Sequence, residues 1–204
     1  MRKLQVITML SLDGVMQAPG GPDEDREGGF AYGGWTASLA QDEDFDREME
    51  ETMAHPVDLL LGRRTYEIWC GFWPDHADEP VFGKRFDEAT KFVVSRSGPS
   101  LPWGPVELIG GDAAEGVAAI KETDGPDLQV WGSGNLIQTL MGAGLIDEYR
   151  LWTFPVTIGT GKRLFADGTM PGTLRLVGSS FSKNGIVLAR YEPAGELTMG
   201  TVER

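Results

Sequence analysis

The segment Leu128–Ile137 (LQVWGSGNLI) has the form of a buried strand, a Gly-x-Gly turn and the beginning of a helix. This arrangement directs backbone N–H groups and a helix N-terminus at an anion, most often a phosphate. The turn departs from the full Gly-x-Gly-x-x-Gly pattern because position 137 is Ile, so a standard Rossmann half is not predicted. An ordinary strand-to-helix connection, with Ser133 or Asn135 as its N-cap, is the alternative interpretation.

A second turn of this kind follows the apolar run Leu59–Leu61 and consists of Gly62, Arg63, Arg64 and Thr65. Two arginines at a helix N-terminus oppose the helix dipole, so their placement favours an anion held between them over two solvated surface charges. Guanidinium groups suit a phosphate monoester because they bind it through two hydrogen bonds. Two phosphate-type turns in one small chain predict a dinucleotide with an additional phosphate, which is NADPH.

Strand-type and helix-type segments alternate over most of the chain, and three strand-type segments follow from Glu148 without an intervening helix. The dipeptide Asn184-Gly185 predicts a hairpin turn between the last two. This pattern predicts one α/β domain over residues 1–204, with a mixed, mostly parallel sheet, helices on both faces and an antiparallel C-terminal edge. The predicted strands are 4–12, 57–61, 92–95, 106–109, 128–131, 149–156, 174–180 and 186–191, and the predicted helices lie within 42–54, 65–73, 81–90, 112–123 and 135–143.

Composition excludes several classes of function. The formal net charge of -13 argues against a surface for nucleic acid or anionic membrane, and the chain has no apolar run of about 20 residues that would cross a bilayer. The single cysteine, Cys70, cannot form an intrachain disulfide and fits a reducing cytoplasm. Since His55 and His76 are the only histidines, a zinc site of His and Cys ligands is not expected. We expect a cytoplasmic protein with a small-molecule substrate.

Candidate acids and a further polar turn lie at the predicted strand ends. Asp13 ends the first strand, and a group of acidic residues opens the first helix: Asp42, Asp44, Asp46 and Glu48. The ordinary interpretation of that group is favourable charge at a helix N-terminus, and the alternative is an acid that protonates a substrate nitrogen. Ser95-Arg96-Ser97 follows the third strand, where it is either a polar turn or part of a ligand crevice.

The order and spacing of these motifs resemble the dihydrofolate reductase superfamily. The resemblance rests on Ser11-Leu12-Asp13-Gly14, Leu61–Glu67, Val94-Ser95-Arg96 and Val130–Gly134, and covers residues 3–192. The later segments Leu145–Leu151, Pro155-Val156 and Ile158-Gly159 are similar to the C-terminal reductase domain of the bifunctional riboflavin-biosynthesis deaminase/reductase. The zinc signatures of the deaminase half are absent. The resemblance implies about eight strands flanked by helices, NADPH as hydride donor, and a homodimer.

The resemblance also implies roles for individual residues. The phosphates of NADPH would be held at Gly62, Arg63, Arg64 and Thr65, with Arg63 nearest the adenosine 2′-phosphate, and Ser95 and Arg96 would flank the adenosine. The pyrophosphate would lie at Gly132, Ser133, Gly134 and Asn135, and the nicotinamide near Thr8, Met9 and Met16. The loop 17–35 would form a lid over the active site. The catalytic candidates are Asp44, with Asp46 as the next match, and Asp13.

The sequence therefore predicts an NADPH-dependent oxidoreductase that delivers hydride to a heterocyclic or sugar-linked substrate, such as 5-amino-6-(5-phosphoribosylamino)uracil. Two alternatives stay open. A dihydrofolate reductase would bind folate analogues tightly in the presence of NADPH. A nucleotide-binding module without catalysis would bind NADPH and turn over no ring substrate.

Overall fold

A strand with almost no exposed side chains, β1 (Leu4–Ser11), runs through an eight-stranded sheet in the computed structural model, which describes residues 1–201. The order across this sheet is β4-β3-β2-β5-β1-β6-β8-β7. Strands β1 to β6 are parallel, and β8 is antiparallel to both β6 and β7. The remaining strands are β2 (Val57–Gly62), β3 (Lys91–Val94), β4 (Val106–Ile109), β5 (Asp127–Trp131), β6 (Glu148–Phe154), β7 (Leu174–Phe181) and β8 (Val187–Pro193).

Helices cover both faces of the sheet, because successive strand side chains point to opposite sides. The helices are α1 (Glu43–Thr52), α2 (Arg63–Cys70), α3 (Gly83–Glu88), α4 (Ala113–Lys121) and α5 (Gly134–Gly142), with short 3₁₀ turns at Glu27–Gly29 and Trp73–His76. Leu4 and Val6 of β1 pack in one apolar cluster with α4 and α5, whereas Ile7 packs in the other with α1, α2 and α3. These layers and the antiparallel edge confirm the fold class predicted from the sequence.

Local signals in the sequence explain where several elements begin and end. The Asp112 carboxylate accepts a hydrogen bond from the Glu115 N–H (3.0 Å) and caps α4. Gly144 has a φ of 64° and ends α5. Gly185 has a φ of 80° in the turn between β7 and β8, which confirms the predicted hairpin.

The junction between β2 and α2 differs from the prediction. The helix begins at Arg63 rather than near Thr65, and Gly62 is both the last residue of β2 and the N-cap of α2. No loop residue separates the two elements, because Gly62 is still extended (φ −69°, ψ 151°) and the next residue is already helical. Both arginines therefore belong to the first turn of α2.

The helices within residues 1–201 are short. The longest, α1, has 10 residues, and none of them has the length and apolar character needed to span a bilayer.

Candidate cofactor and substrate site

The carboxyl ends of the six parallel strands meet at one edge of the sheet, where ligands of open α/β sheets bind. The central neighbours β2, β5 and β1 end there at Gly62, Trp131 and Ser11. The two predicted phosphate turns follow β2 and β5, which are hydrogen-bonded neighbours. The fold therefore places side by side two turns that lie about 70 residues apart in the chain.

Ser133 joins the two turns directly. Its hydroxyl accepts a hydrogen bond from the Gly62 N–H (2.9 Å) and donates one to the Thr65 hydroxyl oxygen (2.9 Å). Ser133 is the N-cap of α5 by position, with φ 53° and ψ 44°, but its side chain caps no N–H of that helix. Gly62 has no side chain with which to cap α2. Two adjacent helices thus begin at this edge without side-chain caps, and such helix N-termini favour anions.

The two arginines of the first α2 turn are directed to different neighbours. The Arg63 guanidinium donates to Glu67 (2.7 Å) and to the Ser97 hydroxyl (2.9 Å), whereas Arg64 lies 3.9 Å from the Asp25 carboxylate. Both side chains are more than half exposed. Arg63 therefore bridges α2 and the segment after β3, whereas Arg64 faces the 17–35 loop. The two side chains do not enclose a single anion position between them, contrary to the prediction from the sequence.

The segment after β3 lies beside Arg63. The Ser95 N–H donates to the Ile109 carbonyl (3.1 Å), and the hydroxyl oxygens of Ser95 and Ser97 are 3.4 Å apart. Arg96 is exposed in the same turn. The structure thus brings the predicted adenosine-side residues together with the first turn of α2.

Of the residues predicted to lie near the nicotinamide, Met16 borders the second turn. Met16 is buried, and a Cβ placed on Gly134 would lie 3.5 Å from its sulfur. Thr8 is buried and Met9 half-buried in the middle of β1. The loop after β1 therefore passes over the start of α5, next to Asn135.

Asp13 binds a neighbouring loop. Its carboxylate accepts hydrogen bonds from the Ser11 hydroxyl (2.7 Å) and from the N–H groups of Ile158 (3.0 Å) and Gly159 (2.7 Å), and Arg163 lies within ion-pair distance. These donors, the Ser11 hydroxyl first, hold the pKa of Asp13 well below its ordinary value. A carboxylate that is held ionised and fully engaged is a poor proton donor. This geometry gives Asp13 a structural role and does not support it as the catalytic acid.

Asp44 lies elsewhere on the same edge. It stands in the first turn of α1, where its carboxylate accepts a hydrogen bond from Arg47 (2.5 Å). It borders a cleft between α1 and the β7–β8 hairpin, together with Phe45 and Trp152. The Trp152 ring stacks on Trp131 at 5.9 Å between centroids, and Trp131 directly precedes the second turn. Two buried core tryptophans thus lie between the Asp44 cleft and the second turn. The alternative, Asp46, is exposed.

Gln17 organises the 17–35 loop, which sequence reasoning identified only by composition. Its buried side chain donates to the Glu27 carbonyl (3.0 Å) and accepts from the Lys162 N–H (3.1 Å), and its carbonyl accepts from the Trp35 indole (2.8 Å). The Lys162 ammonium also bonds the Asp25 carboxylate (2.6 Å). Burial is the largest influence on Asp25 and raises its pKa, but the hydrogen bonds from Lys162 and the Glu27 N–H, together with the charges of Lys162 and Arg64, outweigh burial and lower the pKa. A lone glutamine in a polar loop gives no sequence signal for this role.

Fold and site together define an α/β domain of the dihydrofolate reductase type. The chain belongs to the family described as the RibD C-terminal domain, whose model matches residues 2–188. It is 30% identical over 136 residues to the uncharacterized protein YyaP of Bacillus subtilis (strain 168), and the alignment covers 65% of this chain and 72% of YyaP.

Two solved structures are similar in fold. A pyrimidine reductase-like protein from Corynebacterium diphtheriae matches with a TM-score of 0.62 at 13% identity, over 96% of this chain and 93% of that one. Dihydrofolate reductase from Enterococcus faecalis, complexed with NADP(H) and RAB-propyl, matches with a TM-score of 0.58 at 16% identity, over 94% and 96%. The family and the fold expected from the sequence are thereby confirmed.

Proposed function

We propose that the chain is an NADPH-dependent reductase that transfers hydride to a heterocyclic or sugar-linked substrate. The observation that carries this proposal is the joining of two uncapped helix N-termini by Ser133, through Gly62 and Thr65. Adjacent helix starts offer N–H groups and positive dipole ends to the diphosphate of a dinucleotide. Membership of the RibD C-terminal domain family supports reductase chemistry at this position.

The backbone of the two turns fits a diphosphate. A Cβ on Gly62 would lie 3.4 Å from the Ser133 hydroxyl oxygen, and Gly132 has a φ of 62° that favours glycine. A larger residue at Gly62 would press on Ser133, and one at Gly132 would strain the turn. In the proposal, Gly132, Ser133, Gly134 and Asn135 hold the pyrophosphate together with Gly62 and Thr65.

The adenosine 2′-phosphate is assigned to the neighbouring basic turn. Arg63 is held by Glu67 and Ser97 and extends toward the segment after β3. Ser95 and Arg96 flank that segment and add a hydroxyl and a second guanidinium. A phosphate monoester there would receive charge-assisted hydrogen bonds that NADH, which has a hydroxyl instead, cannot receive.

When bound, NADPH supplies a hydride from its nicotinamide ring. The chain's own contribution is to orient that ring and to exclude water from it, and the proposal assigns this to Thr8, Met9 and Met16. A planar ring substrate would lie in the cleft beside Asp44. Its proton would come from Asp44 or from a water molecule, and a pyrimidine such as 5-amino-6-(5-phosphoribosylamino)uracil is the favoured substrate.

Calorimetric titration with NADPH and, separately, NADH tests the cofactor assignment. We expect the wild-type protein to bind NADPH more tightly than NADH. The Arg63→Ala variant should lose about tenfold or more in affinity for NADPH, because a charge-assisted contact is lost, and little for NADH. Arg175→Ala, which removes an exposed arginine paired with Glu192 on β7 and β8, is the matched control and should change neither.

The same experiment defines what would contradict the proposal. Equal losses for both cofactors in Arg63→Ala would remove the assignment to the 2′-phosphate. Failure of the wild-type protein to bind either cofactor would remove the reductase proposal itself. If NADPH binds, consumption of NADPH with the pyrimidine substrate or with dihydrofolate separates the two reductases, and binding without turnover identifies a non-catalytic module.

We further propose a cytoplasmic homodimer, on the family resemblance and on the exposed outer edge of the sheet. β7 has no strand on its outer side within residues 1–201, and Leu176 and Phe181 on it are largely exposed. Long apolar edges of this kind favour pairing with another chain. Light scattering after gel filtration should give twice the monomer mass, and Phe181→Glu should shift the protein toward the monomer. A monomeric wild-type protein would refute the dimer.

A further inference from the structure

The cleft between α1 and the β7–β8 hairpin continues past Asp44 along the helix. This second part, which we call the arginine cleft, is lined by Arg150, Arg190, Glu51, Thr52 and Ser179, among others. Its floor is the sheet face beyond the edge of α1, formed by β6, β8 and β7. None of its residues belongs to the predicted cofactor turns.

Two arginines lie directly opposite each other on this floor. Arg150 of β6 and Arg190 of β8 are register partners in the antiparallel pair, so their side chains leave the same face of the sheet. Like charges at such positions destabilise a sheet unless something neutralises them. Arg150 is paired with Glu148 (2.5 Å) and also lies 3.4 Å from the Thr52 hydroxyl. Arg190 is exposed, and it forms no ion pair and no side-chain hydrogen bond with any residue between 1 and 201.

The neighbouring strand leaves room for the Arg190 side chain. Gly178 of β7 lies opposite Arg190, and a Cβ there would be 2.7 Å from one terminal nitrogen of the guanidinium and 3.0 Å from its Nε. The pairing of β7 with β8 also shifts register between Leu176 and Gly178. The guanidinium therefore lies across the backbone of β7 at Gly178, and a side chain at that position would displace it.

The two carboxylates that line the cleft, Glu48 and Glu51, form no ion pair with Arg150 or Arg190. Glu48 is already engaged, because it accepts a hydrogen bond from the Ser180 hydroxyl (2.7 Å). Glu51, the other carboxylate of the lining, is farther than 4 Å from both guanidinium groups. Trp152 lines the adjoining part of the cleft and carries a fully buried indole N–H with no acceptor within the described chain. Buried donors of this kind are rare unless an unseen acceptor satisfies them.

We propose that Arg150 and Arg190 bind the phosphate group of a small molecule in the arginine cleft. A phosphate between the two guanidinium groups would accept charge-assisted hydrogen bonds from Arg190 and from the Arg150 donors that Glu148 and Thr52 leave free. A phosphate offers three terminal oxygens to the two guanidinium groups, whereas a carboxylate offers two. This site does not depend on NADPH binding or on reductase activity.

The test is a titration with inorganic phosphate at constant ionic strength, followed by NMR at the Arg Nε–H groups and the Trp152 indole N–H, with acetate as the comparison anion. We expect saturable shifts of the Arg150 and Arg190 signals with phosphate and weak, unsaturated shifts with acetate. In Arg190→Ala, the Arg150 signal should report an affinity lower by about tenfold or more. Arg175→Ala, on the adjacent strand, should titrate like the wild type.

Three results would overturn the proposal: linear shifts with phosphate in the wild-type protein, equal affinities for phosphate and acetate, or an unchanged affinity in Arg190→Ala. A Glu51→Gln variant adds an independent check. If that substitution alone moves the Arg190 signal as far as saturating phosphate does, Glu51 neutralises the arginine in solution and no ligand site is present. Because the signals are local to the cleft, phosphate bound at the cofactor turns is not mistaken for this site.

Discussion

Removal of the Ser133 hydroxyl tests whether the two cofactor turns are held together as described. In Ser133→Ala, the partly buried Gly62 N–H loses its acceptor and the Thr65 hydroxyl loses its donor. An unsatisfied buried N–H costs about 1–3 kcal/mol, and for a domain of about 150–250 residues each kcal/mol corresponds to roughly 2–4 °C in Tm. We therefore expect thermal denaturation to show a fall in Tm of roughly 2–12 °C.

The affinity for NADPH should fall with the stability, because the starts of α2 and α5 lose the contact that fixes their spacing. We expect a loss of about tenfold, equivalent to about 1.4 kcal/mol. Thr65→Ser keeps a hydroxyl at the acceptor position and should behave like the wild type. Ser133→Gly loses the same hydrogen bonds but relieves the left-handed backbone at φ 53°, so its stability should exceed that of Ser133→Ala by about 1 kcal/mol. Unchanged stability and affinity in Ser133→Ala would refute the reasoning.

Two further predictions concern pH. Asp13→Asn should destabilise the protein at neutral pH. Because the folded pKa of Asp13 is depressed, the extra stability of the wild type should be complete above the ordinary pKa of about 3.9 and should be lost as the pH falls below that value. A constant difference in chemical denaturation at all pH values would contradict this. Burial lowers the pKa of Lys91 from 10.5 to about 8. Between these two pH values, the unfolded chain therefore binds the proton more strongly than the folded chain does. The wild type should gain stability relative to Lys91→Met as the pH rises through this range. Parallel stability curves for the two proteins would show that Lys91 does not titrate in this way.

The fold could be predicted because its signals are local. Alternation of strands and helices, the Asn184-Gly185 turn and the Asp112 cap each depend on neighbouring residues, and each is confirmed. The change to an antiparallel edge was visible from the absence of helices after Glu148. The predicted and observed bounds of the helices and strands differ by one or two residues in most cases. The ends of these elements depend on packing against other segments, which the sequence does not show.

The details of the site could be predicted less well, because they depend on contacts between distant segments. The hydrogen bond from Gly62 to Ser133 spans 71 residues, and the contact of Arg63 with Ser97 spans 34. Asp13 looked like a catalytic candidate because it ends a central strand, but its partners Ile158 and Gly159 lie more than 140 residues away. Residue types at strand ends indicate where a ligand binds, while the partners of each side chain decide what it does there.

The direct junction of β2 and α2 at Gly62 has a consequence for how this protein can diversify. A loop tolerates insertions, but here the strand end and the helix start are one residue, so the first turn of α2 is positioned by the register of the sheet. An added residue would rotate every later side chain of α2 by about 100° and would displace Arg63 and Tyr66 together. A change of cofactor preference on this scaffold would therefore come by exchange of side chains on a fixed backbone, and differences in chain length between relatives should accumulate in the 17–35 and 155–173 loops instead.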